Sequence, residues 1–120
     1  IGMNGGHSLA AMLLARPDLT VHVFDLFKWK YSRPVLELLN STFPGRIVPH
    51  VGYSQDTLPP FAKRVESGEL GKCDIIHVDG CKDMHCRASD LAWLKRASHN
   101  ATLFLTDDLS LACPGAEKPC

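Results

Sequence analysis

Two stretches decide the fold: Cys73-Asp74-Ile75-Ile76-His77-Val78-Asp79 and Ala101-Thr102-Leu103-Phe104-Leu105-Thr106-Asp107-Asp108. Each is a short β-prone run that ends in acid. Apolar runs of this length read as buried strands of a parallel sheet, and the C-terminal ends of such strands are where these sheets bind their ligands. One helix-length segment separates the two runs, so their tips are expected side by side. Asp79, Asp107 and Asp108 would then converge. Three carboxylates so placed repel one another, and oxygen donors of this kind suit a hard divalent cation, magnesium above all. Lys82 stands three residues beyond Asp79, within reach of the same cleft as a general base.

Outward from these runs, the chain alternates between strand and helix patterns. Residues 20–24 form a strand pattern that ends in Asp25, and residues 46–51 form another that carries Pro49. Proline removes a ladder donor, so this strand belongs at a sheet edge, next to the 21–24 strand. Helices are expected over 8–15, over 33 to about 43 with Ser32 as cap, over 57–67 opened by Pro59 and Pro60, and over 87–97. The 8–15 helix is almost wholly apolar and reads as buried, and Trp93 and Phe104 read as core. This order predicts an α/β domain: a Rossmann-like, doubly wound, mostly parallel sheet with helices on both faces. It runs to about residue 109, and residues 110–120, with Pro114, Gly115 and Pro119, read as a loop or frayed tail.

A glycine-rich turn, Gly2-Met3-Asn4-Gly5-Gly6-His7-Ser8, opens the chain. Glycines there let backbone approach a ligand, and the helix that follows offers free N–H groups. The spacing is not the G-x-G-x-x-G of dinucleotide binders. A turn of this kind normally follows a strand, of which only the last residues are present, so the chain is expected to be a piece of a longer protein. Asp25, one βα unit on, suits ribose hydroxyls. Gly52-Tyr53-Ser54-Gln55-Asp56 offers donors and acceptors matched to an adenine edge.

The 120 residues carry 13 basic and 13 acidic side chains, with no strong cluster of either. A nucleic-acid partner, which calls for a basic face, is not expected, and no apolar run is long enough to span a bilayer. Five cysteines, an odd number in no regular framework, argue against a disulfide scaffold, although Cys113 and Cys120 are placed to pair across the tail. Cys81, His85 and Cys86 with His77 or His99 lack the paired spacing of a zinc site. Asn40-Ser41-Thr42 and Asn100-Ala101-Thr102 match the glycosylation pattern; a cytoplasmic setting is favoured over the secretory pathway.

Taken together, these motifs resemble the class I S-adenosylmethionine-dependent methyltransferases, and within them the metal-dependent O-methyltransferases of the catechol and caffeoyl-coenzyme A type and their broader relatives. The resemblance runs from Ile1 to about Leu109. It implies that Gly2, Asn4, Gly5, Gly6 and Ser8 hold the methionine part of S-adenosylmethionine, Asp25 the ribose, and Gly52, Ser54 and Gln55 the adenine. It further implies that Asp79, Asp107 and Asp108 ligate the metal, with Asp79 also at the cofactor, and that Lys82 is the base. The sequence departs from that family at Cys81, where a larger residue is usual, and at Ser98-His99-Asn100, where a glycine pair precedes the fifth strand. The expected activity is methyl transfer to a hydroxyl of a small-molecule acceptor. A nicotinamide-dependent oxidoreductase shares the glycine turn and Asp25 but needs no triple carboxylate. A truncated, non-catalytic cofactor-binding relative shares every motif.

Overall fold

A computed structural model describes residues 1–107. In chain order the elements are α1 (His7–Ala15), β1 (Val21–Asp25), α2 (Ser32–Thr42), β2 (Ile47–Val51), α3 (Ser54–Glu66), β3 (Cys73–Val78), α4 (Met84–Arg96) and β4 (Ser98–Thr106). The alternating α/β order expected from the sequence is present, and both strand pairs are parallel. β1 pairs with β2 in a register that sets Val23 opposite Pro49 and Asp25 opposite Val51. β2 has one partner among the described residues, as its proline demands. β3 pairs with β4, with Ile76 opposite Phe104 and Val78 opposite Thr106.

The two pairs are joined by the first two residues of the chain. Gly2 N donates to Phe24 O at 2.8 Å, while Ile1 N donates to His77 O at 2.5 Å and Ile1 O accepts from Asp79 N at 2.9 Å. Ile1-Gly2 thus makes ladder bonds to the C-terminal halves of β1 and β3 together. Below that bridge the two strands part around a cavity of about 240 Å³, lined by Val21, Val23, Ile75, His77 and Leu94 among others.

Successive residues of β1 point to opposite faces, and this divides the core in two. Val23 joins Met3, Leu9, Leu13, Phe27, Leu39 and Ile47 under α1 and α2. Phe24 joins Leu58, Phe61, Val65, Ile76, Val78, Leu94 and Ala97 under α3 and α4. Helices on both faces follow directly from that alternation.

Several local expectations are corrected. α1 is not buried throughout: Leu9 and Leu13 face the core, whereas Leu14 is 72% exposed. Ser32 does not cap α2. The cap is Tyr31, with no side-chain bond, and Ser32 is fully buried in the first turn. α3 starts at Ser54, three residues before the expected start, and Pro59 and Pro60 lie inside the helix rather than opening it. α4 starts at Met84, since Asp83 caps it by accepting from His85 N and Cys86 N. Trp93 is only half-buried, with the Arg96 guanidinium stacked over its ring at 4.5 Å, and Phe104 is exposed on β4. The last strand starts at Ser98, before the expected 101. The 98–100 segment belongs to β4 as an irregularity between the Cys73–Ser98 and Ile75–Leu103 pairs, closed by Thr102 Oγ1, which donates to Cys73 O and accepts from His99 N. The expected tail, with Cys113 and Cys120, lies outside the described residues.

His22 on β1 and His50 on β2 approach to 3.0 Å between ring nitrogens and pack against Phe24 and Phe61. Burial holds both imidazoles below the ordinary value of 6.5, and each also faces Arg64. The unfolded chain therefore binds more protons than the folded one as the pH drops through 6.5, and stability falls with acidification over that window. Thermal melts should show a lower Tm at pH 5.5 than at pH 7.5. His50→Phe, which keeps the stacking on Phe24, should flatten that dependence, and an unchanged slope would remove the pair as its cause.

Candidate functional site

The strand tips converge on a second cavity, about 870 Å³ in volume. Its lining includes Gly2 and Asn4 from the first turn, Asp25 from β1, Gly52, Ser54 and Gln55 after β2, Asp79 and Lys82 after β3, and Asp107 after β4. This volume lies within the range of small-molecule sites.

The first turn is held by Asp25. Its Oδ2 accepts from Met3 N at 2.6 Å and from Asn4 N at 3.1 Å, and its Oδ1 accepts from Phe27 N at 2.6 Å. Asn4 and Phe27 take φ values of 48° and 49°, a left-handed backbone that non-glycine residues rarely adopt. The carboxylate's three bonds fix both turns. Tyr31 Oη donates to Asn4 Oδ1 at 2.5 Å and braces the turn from the α2 side. Gly2, at φ 84°, lies so close to β3 that a Cβ there would sit 2.3 Å from Asp79 O. Gly6 caps α1 at φ 75°, where a Cβ would meet Val35 Cγ1 at 2.8 Å. Gly6 therefore has a packing reason as well as a turn reason.

At the other tips, Gly52 N donates to Asp25 O at 3.1 Å and Asp107 N donates to Val78 O at 3.1 Å, which carries each loop off its neighbouring strand. Lys82 Nζ lies 2.7 Å from Asp79 Oδ1, with the lysine side chain 58% exposed. Behind the site, Asp90 on α4 is fully buried, and neither carboxylate oxygen reaches a partner at hydrogen-bond geometry. Burial pushes its carboxyl above the ordinary range; the nearby Ser54 hydroxyl and Ile1 nitrogen act in the opposite sense.

The structure brings together Gly2, Asn4, Asp25, Gly52, Ser54, Gln55, Asp79, Lys82 and Asp107. Gly5 and Gly6 shape the turn without lining the cavity, and Ser8 lies on the cavity between β1 and β3 instead. Asp108 lies outside the described residues. Sequence reasoning missed Leu26, Trp29 and Tyr53, all exposed at the rim; Trp29 and Tyr53 flank Asp25 and Ser54 closely enough to have been considered. It also missed a disulfide, Cys81–Cys86, with Cα atoms 6.0 Å apart. That bond replaces any zinc role for the two sulfurs. The five-residue spacing was the available signal, hidden by the odd count.

The donor set matches a nucleoside ligand in chemistry: a carboxylate for hydroxyls, an amide and a hydroxyl for a base edge, and an open backbone turn. Asp79 and Asp107 are oxygen donors fit for a hard cation. Among the described residues no group of three metal-ligating side chains occurs, and no helix is long and apolar enough to cross a membrane.

A fold of this order, with its cavity at the strand tips, is that of the α/β proteins that bind their ligands beyond the carboxyl ends of parallel strands. Residues 1–109 match a family model described as a methyltransferase domain. The chain belongs to that methyltransferase family, whose general methyl donor is S-adenosylmethionine. No curated protein and no solved structure matches it.

Asp25→Ala should orphan three N–H groups and destabilise the protein by roughly 2–4 kcal/mol, the scale for losing charge-assisted bonds. Urea denaturation checks this; a loss below measurement would mean the turn is held by something else. Gly2→Ala should cost stability through its clash with the Asp79 carbonyl, whereas Gly45→Ala, with open space around its Cβ, should cost only its φ strain.

Proposed function

We propose that this protein transfers the methyl group of S-adenosylmethionine to a hydroxyl of a small-molecule acceptor, in the manner of the metal-dependent catechol-type O-methyltransferases. The observation that carries this reading is the single cavity that gathers the glycine turn, Asp25, Ser54-Gln55 and the Asp79–Lys82 pair at four neighbouring chain segments.

S-adenosylmethionine would supply an electrophilic methyl on sulfonium. Gly2 and Asn4 would face its methionine part across the open turn. Asp25 has three of its roughly four acceptor positions filled by backbone N–H groups, which leaves capacity on Oδ1 for a ribose hydroxyl. Ser54 and Gln55 would meet the adenine edge. Asp79, Asp107 and Asp108 would hold a divalent cation, which would supply the Lewis-acid chemistry that makes a hydroxyl more acidic. Lys82, once it has given its ammonium proton to solvent, would take the hydroxyl proton of the acceptor, and for this its Nζ must part from Asp79 Oδ1. Holding acceptor and methyl in line can supply several kcal/mol of the barrier.

Calorimetry on the full-length protein should show binding of S-adenosylmethionine or its demethylated product and none of NAD. Lys82→Met keeps the stem but removes the base, so turnover should fall by roughly a hundredfold while cofactor affinity stays near wild type. Raising the pH should restore part of it, because hydroxide can then ionise the acceptor. A chelator should abolish activity and magnesium should restore it. Normal turnover in Lys82→Met moves the base elsewhere, with His85 next to test. Indifference to chelation removes the metal while leaving methyl transfer standing, and cofactor binding without turnover makes the chain a non-catalytic relative.

A further inference from the structure

Cys81 and Cys86 lie on the cavity itself. Cys81 sits in the loop that leaves the β3 tip, Cys86 in the first turn of α4, and both are half-buried and line the space shared with Asp79, Lys82 and Gln55. Their bond closes a ring around Lys82 and Asp83. Lys82 carries the ion pair to Asp79, and Asp83 caps α4 on His85 N and Cys86 N. Gln55 Nε2 donates to Cys86 Sγ at 2.6 Å. One covalent bond therefore restrains the proposed base, the helix start and the side chain proposed to face adenine.

We propose that Cys81–Cys86 is a reversible thiol–disulfide site whose oxidised form orders the Lys82 loop and strengthens nucleoside binding in the cavity; its second half rests on the methyl-donor reading above. Oxidation removes one electron and one proton from each thiol and gives them to a low-molecular-weight disulfide such as glutathione disulfide, which leaves as two thiols. Reduction runs through attack by an external thiolate on one sulfur, a mixed disulfide, and displacement by a second external thiol, after which both cysteines carry protons. Both sulfurs border the open cavity, so small thiols can reach them. Cys73 does not compete: it begins β3, at the far end from the tip, and burial pushes its thiol up and away from the reactive thiolate. Ring opening frees the 81–83 loop from its covalent tie to α4, and an ordered loop costs a ligand less to bind than a loose one.

The test uses the full-length protein, equilibrated with glutathione and glutathione disulfide at several ratios and read by differential alkylation and mass spectrometry. Cys81 and Cys86 should become alkylated together as one two-electron unit as the buffer is made more reducing. In hydrogen exchange, amides 80–87 should exchange about tenfold faster in the reduced form, with amides of β1 and β2 unchanged. Calorimetry with S-adenosylhomocysteine should give at least about fivefold weaker binding to the reduced form. The double variant Cys81→Ser/Cys86→Ser should match the reduced protein in both readouts and ignore the oxidant. Two free thiols in fully oxidising buffer, a bond that no glutathione ratio opens, or equal exchange in the two forms overturns the proposal. Equal ligand affinity in two forms that both bind overturns the coupling. If neither form binds S-adenosylhomocysteine, the methyl-donor reading fails, while alkylation and exchange still decide the redox site.

Discussion

The Asp25 residue is the joint on which the site depends. Its carboxylate gathers N–H groups from both sides of the β1 tip, Met3 and Asn4 on one and Phe27 on the other, and its carbonyl accepts Gly52 N from the loop after β2. Three segments distant in sequence thereby meet at one residue. The backbone in two of them is left-handed at non-glycine positions, a conformation that costs free energy and persists only where surroundings over-determine it. Charge-assisted bonds to a carboxylate are about twice as strong as neutral ones, so Asp25 is a sufficient counterweight. Sequence reasoning assigned this acid to a ligand; the structure gives it a structural duty first and leaves one acceptor position for the ligand.

A second constraint is spatial. β1 and β3 are held at the distance of one intervening strand, and Ile1-Gly2 fills that distance only at the tips. Gly2 is required there because its Cβ position is taken by the Asp79 carbonyl, and Gly80 because its Cβ position is taken by the Ile1 side chain. The close approach of these backbones draws the first turn, Asp25 and Asp79 into one cavity. The same bridge keeps Phe24, Ile76 and Val78 in one core under α3 and α4, so the packing that stabilises the domain is also the packing that aligns its tips.

Much of this was legible in the sequence because strand runs and their terminal acids carry their meaning locally. The 73–79 and 101–107 runs predicted adjacent parallel strands, which is what is found, and Pro49 predicted an edge strand beside 21–24, where β2 has β1 as its one strand partner among the described residues. Helix starts were less legible. Asp83 lies one turn before the apolar periodicity of α4 begins, so its capping, which is chemistry of a few atoms, outran the pattern of burial, whereas α3 begins at Ser54 with no side-chain cap to announce it. Burial itself was misread at Phe104: its run is apolar, yet Leu103, Phe104 and Leu105, which alternate between the two faces of β4, are all exposed among the described residues. Asp90 was invisible for the opposite reason: an acid in a helix reads as solvated, and only the packing of α3 against α4 reveals that it is sealed. The disulfide needed the fold, since Cys81 and Cys86 become partners only when a loop turns back onto the first turn of α4.

The site's charge balance follows from these placements. Three carboxylates, Asp25, Asp79 and Asp107, and two ammonium side chains, Lys28 and Lys82, border the same cavity, and Lys82 is drawn onto Asp79. An exposed ion pair of this kind contributes little to stability, so Lys82 is not where it is for the fold's sake. Its position is set by the short path from the β3 tip to the α4 cap, with Asp83 fixed by two backbone N–H groups and Cys81 tied to Cys86. That path keeps the lysine in the neighbourhood of Asp79, with its side chain 58% exposed. The proposed role of Lys82 as base rests on that confinement by covalent and backbone restraints, and on an exposed ion pair weak enough for a substrate group to replace.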